Sequence, residues 1–136
     1  MSTRSRIGIL LEDGNVRSVY HHWDGFPDAL GAKLAKEYET VDKVEDLISG
    51  GDISTAMARS NWDGVSSDGE FVLYYSDRGD EDTEPITAND KYEFFQQTRN
   101  CSGEYAYLFS PFTLKWECYD LGGGEYVSLY QIAVEV

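Results

Sequence analysis

The chain has 136 residues, 41% of them hydrophobic, and its 25 acidic and 11 basic side chains give a formal charge of −14. This length fits a single domain (residues 1–136) with a sizeable core, and the apolar content excludes wholesale disorder. The charge makes direct binding of DNA or RNA unfavourable, because an acidic surface repels the phosphate backbone.

No apolar run approaches the roughly 18 residues of a membrane span, and residues 7–11 are too short for the core of a signal peptide. The two cysteines, Cys101 and Cys118, lie in different segments and lack the spacing of a zinc site. We therefore expect a cytoplasmic protein with no membrane contact, no cofactor and no metal. Self-association stays open.

The first third of the chain predicts a hairpin followed by two helices. β-favouring runs at 6–11 and 16–22 flank an Asp-Gly turn, a strong hairpin signal. Pro27 fits the first turn of a helix that runs to about Tyr38. A second helix begins after the N-cap Thr40 and ends at a pair of glycines.

The rest of the chain predicts mainly strands. Residues 51–69 are polar and turn-rich and are predicted to be loop, whereas 87–98 are predicted to form a third helix. Strands are predicted at 71–75, 105–110, 114–120 and 125–136. This order indicates an α+β fold, a mostly antiparallel sheet with two or three short helices packed on one face.

The junction, residues 20–27, concentrates polar and aromatic side chains between a predicted strand and a predicted helix. Such junctions often present side chains to a ligand. Trp23 offers a stacking face, while His22 and Asp24 offer hydrogen-bonding groups for a small planar or anionic molecule. The candidate ligand-binding residues are Tyr20, His22, Trp23, Asp24, Tyr75 and Arg78.

A structural interpretation of the same residues stays open. Trp23 would then pack in the core, Asp24 would form a turn that starts the helix, and His22 would be an ordinary strand residue. The two interpretations differ in whether Trp23 is buried.

Signals for catalysis are weak. The chain has no Gly-x-Ser-x-Gly elbow and no phosphate-binding loop, and its adjacent histidines point to opposite faces of a strand. We therefore predict no enzymatic activity. A metal-dependent hydrolase that uses His22 and scattered carboxylates is the competing class.

Four segments resemble a widespread family of small proteins from bacteriophage genomes and bacterial mobile regions. They are Met1–Ser5, the His-Trp-Asp-Gly-aromatic-Pro run at 22–27, residues 48–54 and residues 75–80. The likeness is good over the first two-fifths of the chain and loose in the middle. It implies a phage context, in which small acidic proteins often block host or defence proteins, and it implies no mechanism.

Charge and context together favour one function. The second half of the chain, residues 69–136, has 13 acids and 4 bases, and its densest acids are Asp77, Asp80, Glu81, Asp82 and Glu84. We expect a non-catalytic inhibitor that covers a basic, nucleic-acid-binding surface of a host or defence protein. The alternative is a protein that binds or sequesters a nucleotide-like molecule at the junction.

Overall fold

A computed structural model describes residues 2–127. Its strands are β1 (Ser5–Leu10), β2 (Val16–His21), β3 (Ile53–Ser60), β4 (Ser66–Tyr74), β5 (Ile86–Ala88), β6 (Tyr105–Ser110), β7 (Lys115–Asp120) and β8 (Glu125–Val127). Its α-helices are α1 (Ala32–Glu37), α2 (Val41–Ser49) and α3 (Lys91–Asn100). The predicted last strand extends to residue 136, and its part beyond Val127 lies outside the described residues.

The strands form one mixed sheet in the order β4-β3-β2-β1-β6-β7-β8, with β5 also paired to β2, and β1–β6 and β2–β3 are the parallel pairs. The other strand pairs are antiparallel, so the predicted α+β class with a mostly antiparallel sheet is confirmed. None of the helices within residues 2–127 is long and apolar enough to cross a membrane.

The two faces of the sheet carry separate cores. On one face, α1 and α2 cover the larger cluster, which includes Ile7, Phe109 and Trp116. On the opposite face, α3 inserts Phe94 into a smaller cluster. The helices were expected on a single face. Gly8 leaves room for the Phe94 ring on the opposite face, because a Cβ at Gly8 would lie only 3.1 Å from that ring.

Residues 51–69 are not the loop that the sequence predicts, because β3 and the start of β4 occupy most of this segment. The buried positions of β3 include Ser54, Ala56 and Ala58. These small side chains give a weak strand signal, since strands are usually recognised by β-branched and aromatic residues. The burial of this strand therefore depends on packing that local sequence does not reveal.

The helix starts were predicted with mixed success. Thr40 caps α2 as expected, its side-chain oxygen accepting a hydrogen bond from the Lys43 N–H at 3.3 Å. The segment Pro27–Gly31 forms a π-helical turn before α1 instead of a continuous α-helix. The third helix begins at Lys91, four residues after its predicted start at residue 87, and its N-cap Asp90 accepts a hydrogen bond from the Glu93 N–H at 2.8 Å.

Candidate functional site

The backbone brings the four segments that carry the family resemblance to one end of the sheet. The Gly25 N–H donates to the Thr3 carbonyl at 2.9 Å, and the Trp23 N–H donates to the Ser54 carbonyl at 2.9 Å. The Tyr75 N–H donates to the Asp52 carbonyl at 3.1 Å. Segments far apart in the sequence therefore meet around the junction.

Asp52 holds this end of the sheet together. The outer edge of β2 is shared by β5 at its start and β3 at its end, which leaves a gap in the ladder at Tyr20. The Asp52 carboxylate fills it by accepting a hydrogen bond from the Tyr20 N–H at 2.9 Å. Burial raises the pKa of Asp52, while the Tyr20 N–H and nearby Arg6 oppose that rise.

Three of the predicted ligand-binding side chains are in contact. The Tyr20 hydroxyl and the His22 Nδ1 are 2.5 Å apart, and the His22 and Trp23 rings meet edge to face with centroids 4.7 Å apart. Trp23 is 46% exposed and is therefore not a core residue. An exposed tryptophan that borders a polar cluster is typical of a binding surface.

The protonation states in this cluster follow from burial. Burial raises the pKa of Tyr20 to about 12, so its hydroxyl stays protonated at neutral pH. Burial, followed by the nearby Arg4 charge, lowers the pKa of His22. We therefore assign the Tyr20 hydroxyl as donor to the neutral His22 Nδ1, which leaves the His22 Nε2–H as a donor for a ligand.

Two arginines near this cluster were missed by the sequence analysis. Arg6 lies directly opposite Tyr20 in the β1–β2 register and is only 6% exposed. Its guanidinium donates to the Ser18 hydroxyl and carbonyl, at 2.9 and 3.0 Å. Arg4, two residues earlier, has a buried Nε without a hydrogen-bond partner among the described residues. The hairpin register, which the Asp-Gly turn sets, could have placed Arg6 opposite Tyr20.

Tyr75 and Arg78 form a neighbouring group. The Arg78 guanidinium lies 4.4 Å from the Trp62 ring centroid and makes two hydrogen bonds to the Asp80 carboxylate, at 2.9 and 3.0 Å. Tyr75 packs against Trp62 and is close enough to Tyr20 to help raise its pKa. Tyr75 therefore borders the junction, whereas Arg78 is engaged by Trp62 and Asp80.

Asp24 is exposed and has a left-handed backbone (φ 56°). Aspartate tolerates this conformation better than most residues, which suits a turn between strand and helix. Its carboxylate lies at the surface of the junction, where a ligand could reach it.

The two histidines face opposite sides of the sheet, as predicted. His21 is fully buried, and its Nε2 accepts a hydrogen bond from the Ala56 N–H at 3.0 Å. Burial, followed by the charge of His22, lowers its pKa to about 3, so His21 is neutral in the folded protein. It acts as a structural acceptor.

The acidic loop, residues 77–85, exposes most of its carboxylates. Asp77, Glu81, Asp82 and Glu84 are exposed, whereas Asp80 is paired with Arg78. Asp46 on α2 and Asp77 both help to raise the pKa of Tyr74, after burial. The Tyr74 hydroxyl donates to the Leu47 carbonyl at 2.7 Å and the Ser76 hydroxyl to the Gly50 carbonyl at 3.4 Å, so the segment that leads into the acidic loop lies against the end of α2.

Within residues 2–127, no three histidine, cysteine, aspartate or glutamate side chains come together in a group that could hold a metal ion. The His22 Nδ1 is already engaged by Tyr20. No protein-family model matches the chain, and neither a curated protein nor a solved structure shows a significant match to it. The phage-family resemblance stays a prediction.

Proposed function

We propose that the protein is a non-catalytic binding protein that holds a small, nucleotide-like molecule at the junction. The exposure of Trp23 carries this proposal, because a core tryptophan could not stack on a ligand. Trp23 contacts His22, which in turn contacts Tyr20, so one stacking face lies beside a set of hydrogen-bonding groups. Ligand sites commonly combine an apolar face with a few polar groups in this way.

The chemistry of the polar groups fits binding. A protonated tyrosine and a neutral histidine are hydrogen-bonding groups that recognise the edge of a planar ring without a proton transfer. Asp24 adds an exposed acceptor and Tyr75 a second aromatic ring at the border.

Replacement of Trp23 by alanine is expected to abolish binding and to leave the fold intact. Base–aromatic stacking contributes about 1–3 kcal/mol per base, which corresponds to a loss of roughly fivefold to 150-fold in affinity. Native mass spectrometry of the gently purified protein measures this as the loss of a co-purified small-molecule adduct. Tyr92→Ala is the matched control, because Tyr92 is 75% exposed on α3. A Trp23→Ala variant that keeps the adduct would contradict the proposal.

The exposed carboxylates favour a second candidate function, inhibition of a host or defence protein through its basic surface. Hydrogen bonds from Tyr74 and Ser76 hold the start of the acidic loop against the end of α2, where Asp46 is also exposed, so the acidic surface extends beyond the loop. Exposed charge mainly accelerates association and confers salt dependence.

Replacement of five acids by their amides is expected to slow association with a basic partner. The five are Asp77, Asp80, Glu81, Asp82 and Glu84. Capture from host lysate should weaken steeply between about 50 and 200 mM salt, as charge screening increases. The control neutralises five exposed acids elsewhere: Asp13, Glu39, Asp63, Asp68 and Glu125. If the amount of captured partner changes neither with salt concentration nor with neutralisation of the acidic loop, this candidate function is excluded.

A further inference from the structure

We propose that the protein has a binding pocket for a phosphate group beside the junction, with Arg4 as its main anion-binding residue. The inference rests on the proposed small-molecule binding and adds the chemical class of the ligand, a phosphorylated compound. The pocket measures about 380 Å³ and is lined by Ser2, Arg4, Ser102 and Glu104.

Arg4 forms no salt bridge with the described residues. The ion pairs among the described residues join Lys33 to Glu37 and Glu70, and Arg78 to Asp80, so Arg4 and Arg6 have no carboxylate partner there. The Arg4 Nε is buried without a hydrogen-bond partner in the same part of the chain. A buried donor without a partner is costly, and a bound anion would supply the missing partner of the Arg4 Nε.

The neighbours of Arg4 supply further donors. Arg6 and Tyr20 face each other across the β1–β2 pair, and Arg4 lies two residues before Arg6, immediately before β1. Arg4 is close enough to His22 for its charge to affect the histidine, whose Nε2–H is free of the Tyr20 hydrogen bond. A guanidinium and an imidazole N–H are suitable donors for phosphate oxygens.

The turn after α3 closes the other side of the pocket. The Glu104 N–H donates to the Arg4 carbonyl at 2.7 Å, which fixes this turn against the segment before β1. Ser102 adds a hydroxyl, and the Glu104 carboxylate is the one acidic group among the four lining residues. This carboxylate opposes a bound anion, so its removal should strengthen phosphate binding.

Calorimetric titration of the full chain with adenosine 5′-monophosphate, adenosine and inorganic phosphate tests the pocket. The monophosphate should bind at least tenfold more tightly than adenosine. Arg4→Gln should remove most of that difference and leave adenosine binding unchanged, since a hydrogen bond to a charged group commonly contributes a factor of about ten or more. Glu104→Gln should raise the affinity for inorganic phosphate severalfold.

Arg59→Gln is the matched control, because it removes the same charge from an exposed position near the end of β3. Equal losses in Arg4→Gln and Arg59→Gln would overturn the pocket, as would the absence of binding by both the monophosphate and inorganic phosphate. Adenosine binding that depends on Trp23, with no gain from the phosphate, would overturn the pocket and leave the proposed function standing. Thermal unfolding of Arg4→Gln shows whether a lost affinity reflects a lost fold.

Discussion

Replacement of His21 by glutamine is expected to make the protein markedly less sensitive to acid. Burial holds the pKa of His21 at about 3 in the folded state, against its ordinary 6.5 in the unfolded chain. Below pH 6.5, His21 therefore binds a proton in the unfolded chain but not in the folded protein, and the free energy of unfolding falls as the pH falls. At about 1.4 kcal/mol per pH unit, the loss from this residue reaches about 4 kcal/mol near pH 3.

Glutamine can place an oxygen near the position of the His21 Nε2 and keep the hydrogen bond from the Ala56 N–H, but it does not titrate. The carboxylates titrate in both proteins, so the difference between the two curves of unfolding free energy against pH isolates His21. Denaturant unfolding from pH 7 to pH 3 measures those curves. Parallel curves would contradict the account of His21 as a buried neutral acceptor.

Replacement of Gly25 by alanine is expected to destabilise the protein by about 3 kcal/mol and to damage the junction, because the added methyl group has no room. A Cβ at this position would lie 2.5 Å from the Ser5 Oγ and 2.6 Å from the Thr3 carbonyl oxygen. The same glycine accepts a hydrogen bond from the buried Tyr107 hydroxyl at 2.7 Å. The methyl group would therefore push the segment before β1 away from the junction.

Gly69→Ala is the matched control, since a Cβ there meets nothing within 4 Å and the residue lies in β4. Denaturant midpoints at constant slope give the two losses of stability. The Gly25 variant should also lose ligand binding. The Gly25 N–H holds the junction to the Thr3 carbonyl, and the Gly25 carbonyl holds it to the Tyr107 hydroxyl. A Gly25→Ala variant as stable as Gly69→Ala would contradict the observed close approach.

Strands could be predicted from the sequence where large apolar side chains alternate along the strand and occupy its buried positions. The β1–β2 hairpin and the β6–β7 pair combine large alternating side chains with turn residues, and both form as expected. β3 was missed because alanine and serine occupy several of its buried positions. The placement of α3 on its own face depends on the space above Gly8, which is a tertiary property.

The candidate site shows a similar division. Strand alternation separates His21 from His22 and places Tyr20 beside His22. The exposure of Trp23 could not be deduced, since a tryptophan in a strand-to-helix junction fits core and surface equally well. Arg4 becomes a candidate only when the β1–β2 register and the turn after α3 are known together.

The central claim, that the Tyr20–His22–Trp23 end of the sheet contacts a small molecule, is tested most directly by NMR. Spectra of the ¹⁵N-labelled protein would be compared with and without a protein-free extract of small molecules from bacterial cells. We expect shifts at His22, at the Trp23 indole and at Gly25, with little change in the acidic loop. Unchanged spectra, or shifts confined to the acidic loop, would contradict it.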